Sequence, residues 1–83
     1  MSGRGSDTIN VNPAVPTSVD LTAARLLLQN KHKILLATSM VLVVDYNGHE
    51  VSIFKRGRML IKGVSAETDA LRIYNEIDHT IRG

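Results

Sequence analysis

Asn47-Gly48 divides two apolar stretches, VLVVDY and HEVSIF, and nine residues further on Arg56-Gly57 divides the second of these from MLIKG. Asn-Gly is the preferred centre of a two-residue type I′ hairpin, because both central residues need positive φ and these two tolerate it best. Turn length then dictates register. It sets Tyr46 opposite His49, Val44 opposite Val51 and Leu42 opposite Ile53. Taking Arg56-Gly57 as a second two-residue turn sets Lys55 opposite Arg58, Phe54 opposite Met59 and Ile53 opposite Leu60. The chain is thereby committed to a three-stranded antiparallel meander over roughly residues 40–46, 50–55 and 58–62.

On this register one face of the meander carries Leu42, Val44, Val51, Ile53 and Leu60, and the other Val41, Val43, Phe54, Met59 and Ile61. An antiparallel sheet that is wet on one side should alternate apolar with polar residues. Two apolar faces therefore predict that one is covered by the chain's own helices and the other by something outside it. The competing reading is that the extra Val and Ile merely satisfy strand propensity. Phe54 and Met59 are the bulkiest pair, and their face is the one expected to receive the helices.

Two helices are predicted. In VDLTAARLLLQN, Leu21, Ala24, Leu27 and Leu28 recur at helical spacing behind a cap at Ser18 or Asp20. Lys31, His32 and Lys33 follow, placed to complement the helix C-terminus. After Gly63, Ser65 can cap a helix with Glu67 and Asp69 in its first turn and a stripe of Ala70, Ile73, Tyr74, Ile77 and Ile81. Upstream, Thr8 to Asn12 alternates as an edge strand and leads into a connector ruled by its prolines. The expected fold is α+β, a two-layer sandwich of an antiparallel sheet of about four strands with both helices on one face. Residues 1–7 are read as a flexible start and 8–83 as one small domain.

Composition narrows the function. A single domain of 83 residues, with one Phe and no Trp, must build a thin aliphatic core and has little room for an enclosed active site. The absence of cysteine excludes disulfides, thiolate metal sites and cysteine nucleophiles, and is compatible with the cytoplasm. The longest apolar run, ILLATSMVLVV, has 11 residues, well short of the roughly 20 that a membrane helix needs. It reads as a core strand, and no membrane partner is expected. His32, His49 and His79 form no ligand spacing, and Ser2-Gly3-Arg4-Gly5-Ser6 completes no phosphate-loop pattern. No catalytic residue, cofactor ligand or metal ligand can be named.

One feature exceeds what folding requires. FKRGRMLIKG gathers Lys55, Arg56, Arg58 and Lys62 without an acid. Such a hairpin is either a charged tip that discourages strand-to-strand aggregation, a contact for an acidic protein partner, or a phosphate contact. Asp45 and Glu50, opposed at the other turn, predict sheet ends of opposite charge that orient a partner. The candidate partner surface is Lys55, Arg56, Arg58 and Lys62 together with Leu42, Val44, Val51 and Leu60.

The runs GSDTINVNP, LTAARLLLQ and VSIFKRGRMLIKGVSAETDALRIYNEI resemble the C-terminal segment of ThiF/MoeB/HesA-type adenylyltransferases, relatives of ubiquitin-activating enzymes. Phe54, Gly57, Arg58, Ile61, Lys62 and Gly63 match the family pattern F-x-x-G-R-x-x-I-K-G. The resemblance implies an excised C-terminal accessory domain that packs on an adenylation domain or helps hold a ubiquitin-like sulfur carrier. ATP and zinc would belong to the preceding domain, whose motifs this chain lacks, so the chain by itself adenylates nothing.

The order strand, helix, meander, helix is also similar to one repeat of the TATA-binding protein, whose uncovered sheet face enters a DNA minor groove. A net charge of +2 and one Phe fit that chemistry poorly, and nucleic acid is not the expected partner. A third alternative is a small self-associating domain, a homodimer that buries its own open face.

Overall fold

A computed structural model of the chain describes residues 8–15 and 17–82. The expected flexible start at 1–7, with its Gly-Ser-rich loop, lies outside the described residues. The elements run β1 (Thr8–Val11), α1 (Leu21–Leu28), β2 (Lys33–Ala37), β3 (Val41–Tyr46), β4 (His49–Phe54), β5 (Met59–Lys62) and α2 (Glu67–Arg82). The strands form one antiparallel sheet in the order β1-β5-β4-β3-β2, with the first strand closing beside the last. The architecture is the expected α+β sandwich, with five strands where about four were anticipated.

The additional strand comes from the long apolar run, which is broken rather than continuous. Thr38 makes the break: its hydroxyl accepts from the backbone N–H groups of Met40 and Val41, at 3.1 and 3.0 Å, while its own N–H donates to the Val41 carbonyl at 2.9 Å. This is the local side-chain turn to which Ser and Thr are suited. It folds ILLA back on VLVV, with an irregularity between Ile34 and Leu36 that displaces Leu35 from the ladder.

The Asn47-Gly48 turn forms as its sequence dictates. Both residues have positive φ, 52° and 88°, and all six pairs from Val41↔Phe54 to Tyr46↔His49 follow the expected register. The second hairpin does not. Ile53 pairs with Met59, Ser52 with Leu60 and Val51 with Ile61, one residue away from the two-residue expectation. Phe54 donates to the Arg58 carbonyl at 2.8 Å and Gly57 to the Phe54 carbonyl at 2.9 Å, so Lys55, Arg56 and Gly57 form a three-residue turn. Gly57 alone takes the left-handed conformation, at φ 94°. Arg lacks the features that let Asn occupy that region, and the chain inserts a residue instead.

A one-residue slip exchanges faces, and the expected face composition is corrected accordingly. Met59 and Ile61 join Leu42, Val44, Val51 and Ile53 on the covered face, each at most 1% exposed. Leu60 moves to the other face, beside Val41, Val43, Ser52 and Phe54. Phe54 and Met59 thus lie on opposite faces, and the face bearing Phe54 is not the one the helices cover.

Against the covered face pack Leu21, Ala24 and Leu28 of α1 and Ala70, Ile73 and Ile77 of α2, with Tyr74 and Ile81 at the margin. Leu27, expected in this stripe, points away and is 45% exposed. α1 is capped by Asp20, one of the two expected candidates, which accepts from Thr22 and Ala23 N–H at 3.1 Å. Among the described residues, no helix is long and apolar enough to cross a membrane.

Candidate interaction surface

Both helices lie on one side, so among the described residues no helix covers the outer face of the sheet. Its central row runs across all five strands: Asn10, Leu60, Ser52, Val43 and Leu36 are successive ladder partners and share a face. Val43, Ser52 and Leu60 are half-buried and Leu36 is 50% exposed. Val41 and Phe54 form the adjacent pair towards the β4–β5 turn. Five of these seven side chains are large and apolar.

The row on the other side is ionic. Lys33 stands opposite Asp45 and Asp45 opposite Glu50, while Lys62 reaches Glu50 at 3.2 Å. The like-charge pair Asp45 and Glu50 is thereby flanked by a cation on each side. The expected acidic end of the sheet is corrected by this row, which is charge-balanced. On this face, among the described residues, the cations without a facing acid lie at the other end.

That end is the β4–β5 turn. Lys55, Arg56 and Arg58 are exposed there, and among the described residues none of the three makes an ion pair. Arg58 lies over the Phe54 ring, its guanidinium carbon 4.3 Å from the centroid, a cation–π contact that holds the planar fork in place. The connector after β1 folds over the turn. Val19 donates to the Lys55 carbonyl at 2.8 Å, and the buried Gly57 packs so closely beneath Pro13 and Thr17 that a Cβ there would meet both at 3.4 Å. Between connector and turn lies a cleft of about 950 Å³. One wall is Asn12, Pro13, Thr17 and Ser18; the other is Lys55, Arg56 and Arg58, with Met40 and Phe54 supplying apolar surface.

The candidate partner residues separate sharply on this geometry. Lys55, Arg56 and Arg58 come together at the cleft, and Lys62 is exposed but engaged with Glu50 at the opposite end of β5. Leu60 lies in the central row of the open face. Leu42, Val44 and Val51 do not belong to a partner surface: each is buried beneath the helices, at 1%, 0% and 0% exposure, because the register assumed for the second hairpin grouped them with Leu60. Sequence reasoning did not single out Met40, 64% exposed at the β2–β3 turn, or the connector residues of the cleft. Thr38-Ser39 inside an apolar run was the available signal for the turn that presents Met40.

The three histidines are placed apart. His32 stacks at a tilt on Tyr46, with centroids 4.5 Å apart, the His49 Nδ1 lies 3.1 Å from the Lys62 carbonyl, and His79 is exposed late in α2. Among the described residues, no three His, Cys, Asp or Glu side chains converge in a metal-binding arrangement.

The residues of the F-x-x-G-R-x-x-I-K-G pattern each have a place in this fold. Phe54 supports Arg58, Gly57 closes the turn, Ile61 fills the core, Lys62 meets Glu50, and Gly63 leaves β5 at φ 82° beside His49. Comparison of the chain with protein-family models, curated proteins and solved structures finds no match in any of the three.

Proposed function

We propose that the protein is a non-catalytic interaction domain that docks a protein partner on its open sheet face. In the fuller form of this reading, it is the C-terminal accessory domain of a ThiF/MoeB/HesA-like adenylyltransferase acting on a ubiquitin-like sulfur carrier. The observation that carries the interaction role is the five-strand row Asn10, Leu60, Ser52, Val43, Leu36, flanked by Val41 and Phe54 and left uncovered by either helix. A largely apolar patch with a polar rim is the usual anatomy of a docking surface. What supports the adenylyltransferase assignment is the sequence pattern from Phe54 to Gly63. The partner is then the adenylation domain, the carrier, or a second copy of the chain.

Sedimentation velocity tests this reading. The chain is run over a range of concentrations, alone and mixed with a ThiF-type adenylation domain or a ubiquitin-like carrier, beside Val43→Glu and Leu60→Glu. A heavier species that both substitutions abolish, with unchanged far-UV circular dichroism, is the expected result. A chain that stays monomeric in every mixture, or complexes indifferent to both substitutions, overturns it.

A further inference from the structure

The cleft at the β4–β5 turn adjoins the apolar row, whose flanking Phe54 also lines it, and has chemistry of its own. Among the described residues its charged groups are all of one sign: Lys55, Arg56 and Arg58 line it, and no carboxylate does. Asp20, the nearest acid along the connector, already accepts two backbone N–H groups as the cap of α1. Arg58 is preorganised. Its guanidinium carbon lies over the Phe54 ring and, among the described residues, it makes no ion pair, so its N–H groups are available for the two parallel hydrogen bonds that a carboxylate accepts.

The remaining lining decides what kind of anion fits. Met40, Phe54 and Pro13 supply apolar surface that a bare inorganic anion would leave unused, while Asn12, Thr17 and Ser18 offer side-chain groups able to pair with a peptide backbone. A volume of about 950 Å³ is at the upper end for drug-sized ligands and accommodates a few residues of extended chain. A nucleic acid asks for something else, a spaced track of cations with several stacking aromatics. Here the cations that line the cleft, Lys55, Arg56 and Arg58, sit in one turn, and the sheet face leading away from them carries Glu50 and Asp45.

We infer that this cleft binds a short acidic segment of a partner protein, with carboxylates held by Arg58, Lys55 and Arg56 and an apolar side chain set between Met40 and Phe54. The inference deepens the interaction reading and rests on it, but uses a different part of the surface. The cleft confers charge selectivity, while the open face supplies apolar area.

The test is a titration of the ¹⁵N-labelled full chain with a capped pentapeptide, EFDLE, followed by amide chemical shifts. Shifts confined to Asn12, Thr17, Ser18, Met40 and the span from Phe54 to Arg58 are expected, with no response to the charge-reversed peptide KFKLK. Arg58→Gln should weaken binding roughly tenfold or more, as loss of a charge-assisted pair does. Arg58→Lys should restore only part of it, since a lysine keeps the charge without the fork. The amide spectrum of each variant reports in the same experiment that the fold is retained. Equal binding of KFKLK, no shifts with EFDLE, or tighter binding of an oligothymidylate through the same amides overturns the inference. Shifts confined to Leu36, Val43, Ser52 and Leu60 also overturn it, while leaving the open-face reading intact.

Discussion

The Tyr46 hydroxyl at the end of β3 donates a hydrogen bond to the carboxylate of Glu76 on α2, tying the sheet to the helix that covers it. Burial, reinforced by this bond and by the negative charge of Glu76, pushes the Tyr46 hydroxyl up to about 12 from its ordinary 10.0. The folded protein thus holds the proton more tightly than the unfolded chain. The associated stability is fully present below pH 10 and is lost as pH climbs from there through about 12. The chain has two tyrosines, and Tyr74 is also shifted upward, chiefly by burial. Phenolate absorbance of Tyr74→Phe should therefore report Tyr46 alone, titrating well above an ordinary tyrosine. Glu76→Gln should bring that midpoint down, and an unmoved midpoint would show that the carboxylate contributes nothing.

Met59 and Leu60 are neighbours in sequence with opposite fates. Met59 is 1% exposed in the core, whereas Leu60 lies half-buried in the uncovered row. Met59→Ala should cost about 2–5 kcal/mol, as truncation of buried side chains does. Leu60→Ala should cost about 1 kcal/mol or less, because it leaves no enclosed cavity. Urea denaturation of the two variants measures the contrast. Equal losses would mean that Leu60 is packed as deeply as Met59 and that the open face is not open.

That contrast also marks how far the sequence could be read. The first hairpin was legible in full because Asn47 accepts the left-handed conformation, at φ 52°, and a two-residue turn then leaves no freedom of register. The second was legible only as a turn. Arg56 supplies no such tolerance, and the three-residue solution with Gly57 alone at positive φ moved every following side chain to the other face. The stripe of α2 was plain from its spacing. β2 was hidden because Leu35 and Leu36 face outward at an edge, so KILLA has none of the alternation that announces a half-buried strand. The cations of the candidate site stood out as composition. The cleft beside them did not, because it exists only once the connector after β1 has folded back on the turn, through Val19 and Lys55.

Asp20 carries more of α1 than one residue ordinarily would. A helix of 8 residues is too short to persist by its own hydrogen bonds, and Asp20 satisfies two of its free N–H groups. Asp20→Ala should destabilise the protein by about 0.5–2 kcal/mol, and Asp20→Asn should recover most of the loss, because Asn caps nearly as well. Thermal unfolding of both variants checks this. An Asn variant as weak as the Ala variant would show that charge at the helix start, not the hydrogen bonds, is what matters.

Gly57 and Gly48 allow the turn and the cleft to be separated. Both have positive φ, 94° and 88°, so an alanine at either suffers the left-handed penalty of about 1–2 kcal/mol. At Gly48 the added methyl meets open space, whereas at Gly57 it meets Pro13 and the Thr17 carbonyl at 3.4 Å. That is ordinary contact distance, so the methyl can be accommodated only if the turn and the connector stay in place while the backbone is under strain. Gly57→Ala should therefore lose at least as much stability as Gly48→Ala and, in addition, speed hydrogen exchange at the Val19 amide, which is bonded to Lys55. Gly48→Ala should leave that amide protected. Equal protection in both variants would mean that the connector holds its place without the glycine turn, and that the cleft is organised from the α1 side alone.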